Sequence, residues 1–338
     1  LLARDDAGEV WLFRIAGVLE SASLPEWAVR VREKLARSNP VREQLTLDWA
    51  RALHRLGRTA EARGVIETLA LRGAINDEIS GKIAPLCVEL GDRNRARQLF
   101  AQALRNDPFV RNYTVWLDFA RLQLADKNLA GARRTLRAAY SNPANRDFAP
   151  LIAWLAAADR LEKAEAELAE FDLSPSRLTD ARRALFVYFE DRKKLAAAIA
   201  LIQEHPETLT APIAAALRKL AKSEQRFEEV AAIFDATLKQ QPAGSELSAE
   251  LARLLGDWAA SEVAAGRIDP ALGHLRRAHE LRPEIFEVAR DLAVLQSQNA
   301  AGKSAIETLE SYLAAALIPA EAAKAQEMLA KLKAGGRL

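Results

Sequence analysis

The sequence predicts an all-α array of stacked helical hairpins, and three observations predict it. A small residue returns nine times in one local phrase, at Ala28, Ala62, Ala96, Ala132, Ala164, Ala198, Val230, Ala271 and Ala305. The steps between them are 34, 34, 36, 32, 34, 32, 41 and 34 residues, and self-similarity near one period marks a repeat architecture. No β-type alternation of any length occurs and β-branched residues are sparse. Half of the residues are hydrophobic but only 6% are aromatic, with Ala and Leu dominant, which suits helices spaced by small side chains. Length alone, 338 residues, suggests two domains; a repeat array overrides that, because it grows by adding neighbours to a continuous stack.

Each element of the phrase has a packing reason. Twelve residues before the anchor stands a second small residue, at Ala16, Ala50, Ala84, Ala120, Ala259 and Ala293, which lets the two helices of a hairpin approach closely. Five residues before the anchor comes a turn residue, Gly57, Gly91, Asp159 or Gly266, suited to ending the first helix in the left-handed conformation. Four residues after the anchor is a larger apolar residue, as at Ile66, Phe100, Leu136 and Phe234, which fills the next gap on the same helix face. About twelve residues after it comes proline, at Pro40, Pro108, Pro242 and Pro283, with Pro143 and Pro175 one residue early. Proline removes a backbone donor and restricts its predecessor, so the second helix stops there.

This pattern resembles the tetratricopeptide repeat, whose phrase of large, small, Gly, Ala, aromatic, Ala and Pro spans 34 residues. One copy from Asp77 to Val110 carries Ala84, Gly91, Ala96, Phe100, Ala103 and Pro108. Another carries Trp258, Ala259, Gly266, Ala271, Ala278 and Pro283, and a third Trp116, Ala120, Ala132 and Ala139. The resemblance covers roughly residues 9 to 318 and implies a right-handed superhelix of about nine hairpins. The middle departs from it, with Ile152, Phe186 and Arg218 at the first small position of three successive copies.

In order along the chain, residues 9–42 form the first repeat, with its hairpin at 9–37, and 43–318 the further repeats of a single array spanning 1–338. The 41-residue step places extra residues near Ala243–Glu250, as a longer first helix or a loop. A final amphipathic helix, Pro319 to Lys333 within 319–334, ends at Gly335 and Gly336; its apolar Ala322, Met328, Leu329 and Leu332 oppose Lys324, Lys331 and Lys333, as expected of a cap. The amino end lacks a polar outer face. Trp11, Phe13, Val18 and Leu19 spread around one helix, so this hairpin is expected to form an interface, in a homodimer or under a cover made by residues 1–8, with Leu1, Leu2 and Ala3. With no initiator Met and no charged-then-apolar leader, Leu1 reads as a mature terminus or the edge of a longer chain.

The net charge of +2 says little about partners. Residues 51–150 hold 17 Lys/Arg against 10 Asp/Glu, but no basic run is interleaved with aromatics, so solvated helix faces are expected rather than a nucleic-acid surface. A single cysteine, Cys87, excludes an internal disulfide and a cysteine metal site, and no apolar run approaches the length of a membrane span. No histidine pair has i,i+4 metal-ligand spacing, and no phosphate-binding glycine loop, GxSxG or HExxH occurs. No catalytic residue, metal or cofactor is assigned.

The resemblance implies that first helices line a concave groove that binds a protein or peptide segment. Residues fourteen and eleven before the anchor then face it: Asp48 with Arg51, and Asp118 with Arg121, with Lys82 between them. Asp257, Arg290 and Asp291 make a second charged cluster, and Ala149, Pro150, Ala153, Ala156, Ala215 and Ala216 a smaller, apolar middle. Each Asp/Arg pair three apart also suits a simple surface ion pair. Trp49, Trp116 and Trp258 are expected in the core. Members of the family that hold a peptide carboxylate use Lys and Asn one turn apart on a first helix, and no such pair occurs here. Long bacterial arrays of this kind are similar to periplasmic or membrane-anchored parts of envelope or exopolysaccharide assembly systems, which implies that setting over a cytoplasmic one. The other reading is a regulatory or carbohydrate-handling module of a larger chain.

Overall fold

The computed structural model describes residues 8–71, 77–105, 111–240 and 246–338. Among them the regular structure is helical, with 19 α-helices, two 3₁₀ turns and no strand. Two compact units divide the chain, residues 1–174 and 175–338.

In the first unit, helices pair as α1 (Gly8–Ser21) with α2 (Pro25–Ser38), α3 (Glu43–Arg55) with α4 (Thr59–Leu71), α5 (Asp77–Glu89) with α6 (Arg93–Arg105), and α7 (Tyr113–Ala125) with α8 (Leu129–Ser141). A fifth pair is α9 (Ala149–Ala157) and the short α10 (Ala164–Ala169), entered through a 3₁₀ turn at Leu161–Lys163. In the second unit α11 (Pro175–Asp191) pairs with α12 (Leu195–Glu204), followed by a 3₁₀ turn at Pro206–Thr208. Then come α13 (Ala211–Glu224) with α14 (Phe227–Leu238), α15 (Glu246–Ala264) with α16 (Ile268–Leu281), α17 (Phe286–Gln298) with α18 (Gly302–Ala315), and the single α19 (Pro319–Lys333).

All nine anchors are buried, none more than 5% exposed, and so are the six alanines twelve residues earlier. The backbone explains why the phrase has a fixed length. Five residues before every anchor the chain turns left-handed: at Ser23, Gly57, Gly91, Lys127, Asp159, Lys193, Gln225, Gly266 and Ala300, with φ between 54° and 80°. The next amide then donates back to the carbonyl five residues earlier, as from Arg58 to Leu53 at 3.0 Å and from Asp92 to Cys87 at 2.8 Å. The same bond closes all nine hairpins and satisfies a helix-end carbonyl that would otherwise lack a partner. Only three of these nine positions hold glycine, so the conformation extends well beyond the residues that favour it.

The middle hairpins keep the plan with different side chains. Ile152 and Phe186, large residues at a small position, are both enclosed, and the helices paired with theirs, α10 and α12, run only six and ten residues. Pro175 does not terminate the preceding helix: α10 already ends at Ala169, and Pro175 opens α11, where its fixed φ suits the first helical turn. The 41-residue step is accommodated by a first helix of 19 residues, α15. Pro40, Pro143 and Pro283 follow helix ends as expected, while Pro108, Val110, Pro242, Leu1, Leu2 and Ala3 lie outside the described residues. The cap holds: Ala325 and Leu332 of α19 are buried with Met328 and Leu329 against α17 and α18, while Lys324, Lys331 and Lys333 are exposed.

Candidate functional site

In the first unit α5 packs against both α3 and α7, so three first helices lie side by side. They present the charges that the repeat phrase places fourteen and eleven residues before each anchor. On α3 the Arg51 guanidinium sits 3.4 Å from Asp48, whose other contact is the Gln44 amide at 3.0 Å. On α7 Arg121 donates to Asp118 at 2.7 Å and to Asp147, just before α9, at 2.5 Å. Lys82 is a half-buried residue on α5 between them. The guanidiniums of Arg51 and Arg121 remain a third to a half exposed.

The second unit differs. Asp257 does not join Arg290 and Asp291 in one cluster. It accepts from Arg218 at 2.6 Å and from Lys222 at 2.7 Å, both on α13, while Arg290 pairs with its neighbour Asp291 at 2.8 Å. Arg218 also donates to Glu250 at 3.1 Å, and Glu250 accepts from Arg253 at 2.5 Å. Burial works to lower the Arg218 pKa, but hydrogen bonds to Asp257 and Glu250 outweigh it and raise the value above its ordinary level. This network clamps α13 to α15. Arg218 was visible in the sequence as a misfit at a small position; its partners, 32 and 39 residues away, were not.

Outside this face, arginines link successive hairpins. Arg93 and Arg97 meet Asp126 at 3.0 and 2.9 Å, the bond from Arg97 being the main cause of a lowered Asp126 pKa, and Arg133 meets the buried Glu167 at 2.9 Å. Several arginines of this basic segment are thus engaged by carboxylates of neighbouring repeats. Trp49, Trp116 and Trp258 are half-buried rather than enclosed. Trp258 stacks on His274 with ring centroids 3.9 Å apart and donates to Glu262 at 3.1 Å. Trp49 packs on the core beside a cavity of about 640 Å³ bounded by α2 and α4, and its buried Nε1 has no hydrogen-bond partner. Cys87 is buried, and burial pushes its thiol up to about 11, so it stays protonated at neutral pH. In the smaller-residue stretch, Ala149 and Ala153 are exposed but Pro150 is buried.

On the amino-terminal hairpin, Trp11, Phe13 and Val18 are exposed to 61%, 49% and 67%. Leu19 is not part of that surface. It packs with Leu12 and Ile15 against Val31 and Leu35, because it lies on the side of α1 that faces α2 and α3.

Residues 88–155 match the family model described as tetratricopeptide repeat. No curated protein matches the chain. Among solved structures, a tetratricopeptide repeat protein from Parabacteroides merdae is similar at 14% identity, covering 85% of this chain and 98% of that one with a TM-score of 0.35. The C-terminal part of a TPR repeat-containing protein from Cytophaga hutchinsonii is similar at 14% identity, covering 82% and 98% with a TM-score of 0.36. Yeast Tom70 is similar at 12% identity, covering 98% and 90% with a TM-score of 0.32. Arrays of this family are in general protein–protein interaction scaffolds and typically non-catalytic. No helix among the described residues is long and apolar enough to cross a membrane. Nine hairpins are thus each closed by the same turn, and the tetratricopeptide repeat model matches the stretch from the third of them into the fifth, residues 88–155.

Proposed function

We propose that the chain is a scaffold that holds a charged segment of a partner protein along the first helices of its amino-terminal half. The observation that carries this reading is the repetition of Asp48 with Arg51 and Asp118 with Arg121 at one register of the repeat, on either side of the helix bearing Lys82. Both arginines are a third to a half exposed, and an ion pair at the surface is worth only about 0–1 kcal/mol. A partner's carboxylate or ammonium group can therefore take the place of one member at little loss. Asp257 is unsuited to that role, because Arg218 and Lys222 both hold it. Arg290 and Asp291, each close to half exposed, are the candidates that stay available in the second unit.

Charge on such a face steers association and fixes register, and it is screened by salt. Reversing both Arg51 and Arg121 to Glu is expected to weaken capture of lysate partners at low salt and to leave helicity by circular dichroism intact. Quantitative comparison of proteins bound by wild type and the double variant checks this. An unchanged bound set at low salt rules the reading out.

A further inference from the structure

Three successive second helices, α4, α6 and α8, carry an arginine directly after the anchor: Arg63, Arg97 and Arg133. Two of them reach a carboxylate of the next hairpin. Arg97 meets Asp126, six residues before the following anchor, at 2.9 Å, and Arg133 meets Glu167 at 2.9 Å. Where Asp126 stands in that junction, the junction between α4 and α6 has Leu90, which is buried. Arg63 therefore donates to the Leu90 carbonyl, and that bond uses one of the five N–H donors of a guanidinium.

The same junction borders a cavity of about 370 Å³, within the range of small-ligand sites, roughly 300–1,000 Å³. Its buried lining is apolar: Ile66, Leu90 and the Cys87 thiol are each no more than 4% exposed. Each wall adds one cation and one anion, Arg63 and Glu67 from α4, Arg95 from α6 and Asp92 just before it. Asp92 accepts from the Arg95 backbone amide at 3.0 Å, and the Arg95 guanidinium donates to Gln98 at 3.2 Å. Among the described residues none of these four side chains makes an ion pair, although two cations and two anions line one space. Such a lining selects its ligand by exclusion. With both signs present and no net charge, it gives no advantage to a phosphate, a metal ion or any ligand of a single sign. The buried apolar lining would leave a sugar's hydroxyls without partners. What fits is a molecule with a carboxylate, an ammonium group and an apolar body. A free α-amino acid carries all three around one carbon, whereas a peptide end carries only one of the two charges.

We propose that the cavity between α4 and α6 binds a free α-amino acid with an aliphatic side chain. Arg63 and Arg95 hold its carboxylate, Glu67 and Asp92 its ammonium group, and Ile66, Leu90 and Cys87 its side chain. The site uses none of the residues of the charged face on α3, α5 and α7, so the two readings fail independently. The test uses the full chain and three probes of one shape, L-leucine, isocaproate and isoamylamine, titrated by ligand-observed saturation-transfer NMR. L-leucine is expected to bind about tenfold more tightly than either probe with a single charge. Glu67→Gln should bring L-leucine down to the level of isocaproate, and Arg63→Gln down to that of isoamylamine. Both side chains are exposed, so neither change touches the core. Leu90→Asp places a carboxylate where the next junction has Asp126, and should abolish binding by engaging Arg63. The two exposed substitutions keep the site testable if Leu90→Asp loosens the fold. Arg51→Glu with Arg121→Glu should leave binding unchanged. Equal binding of the three probes, no saturable binding of L-leucine, or L-leucine binding that neither exposed substitution changes overturns the proposal.

Discussion

Two hairpins built on one plan, α5–α6 and α13–α14, show what the repeat requires and what it only prefers. The first has Ala84, Gly91, Ala96 and Phe100 at the four key positions; the second has Arg218, Gln225, Val230 and Phe234. Both anchors and both phenylalanines are fully buried. Both turns are left-handed, at φ 80° and 57°, and both close with the same backbone bond, from Asp92 to Cys87 at 2.8 Å and from Arg226 to Ala221 at 3.0 Å. The geometry therefore follows from the buried contact between anchor and large residue. The turn residue sets only the strain of the bend, and the small position can be given up when a larger side chain finds partners. Arg218 finds them in Glu250 and Asp257; Ala84, wholly enclosed, has no room for such a side chain.

The largest expected effect exchanges the two solutions at the small position. Ala84→Arg puts an unpaired cation into a filled site and should cost on the order of 3–5 kcal/mol. Arg218→Ala removes bonds to two carboxylates at a partly solvated site and should cost about 1–3 kcal/mol. Urea unfolding of the two variants checks this, and equal losses would mean that the two positions are not equivalent environments.

The turns give a smaller effect of predictable sign. A non-glycine residue in the left-handed region costs roughly 1–2 kcal/mol, and glycine's extra chain entropy offsets part of that. Lys127→Gly, Lys193→Gly, Gln225→Gly and Ala300→Gly should each stabilise by about 0.5–1 kcal/mol. Gly57→Ala should destabilise by about 1 kcal/mol through conformation alone, because an added Cβ would meet nothing within 4 Å. Calorimetric melting reads both signs. Loss of stability on introducing glycine would show that those side chains are held by contacts rather than merely tolerated.

The smallest effect concerns one of the clean copies. His279, near the end of α16, is 9% exposed and neither ring nitrogen has a partner. Burial lowers its pKa from the ordinary 6.5, against a weaker opposing pull from Glu280. The folded ring therefore binds a proton less readily than the unfolded one. Its contribution is flat above about pH 6.5; below that the unfolded chain protonates first, so stability falls as the pH drops until the folded ring is protonated as well. His279→Leu should flatten this part of the acid limb in melting temperatures measured from pH 7 to pH 5. An unchanged slope would place the acid sensitivity elsewhere.

Helix pairing, anchors and capping helix were legible because each leaves a local, periodic mark, whereas the 41-residue step left a longer first helix and a loop equally open. The turns at Ser23, Lys127, Lys193, Gln225 and Ala300 were not, since local preference there is overruled by packing on either side. Proline carries two opposite signals: the residue that stops one helix also begins another, and Pro175 begins α11. At the candidate site, the pairs three residues apart could be read from a helical net. Bonds such as Arg121 to Asp147 and Arg218 to Asp257 join repeats, and no single-sequence pattern encodes which charges in adjacent repeats will meet. The apolar spread of α1 exceeds one face, and a sequence does not show which side its neighbours occupy, so Leu19 was not separable from the exposed residues.

The left-handed turn has a consequence for how such a chain changes length. From turn residue to anchor the count is five in all nine hairpins, although the steps between anchors range from 32 to 41 residues. Adding or removing one residue between the turn and the anchor would rotate the second helix by about 100° and carry its apolar stripe away from its partner. The variation in step lies outside that turn, and in the longest step it is taken up in part by the first helix itself, α15. The chain behaves as stiff links joined by adjustable couplings, so insertions, tags and grafted loops belong at the couplings, and natural variation in length is expected to accumulate at the same places.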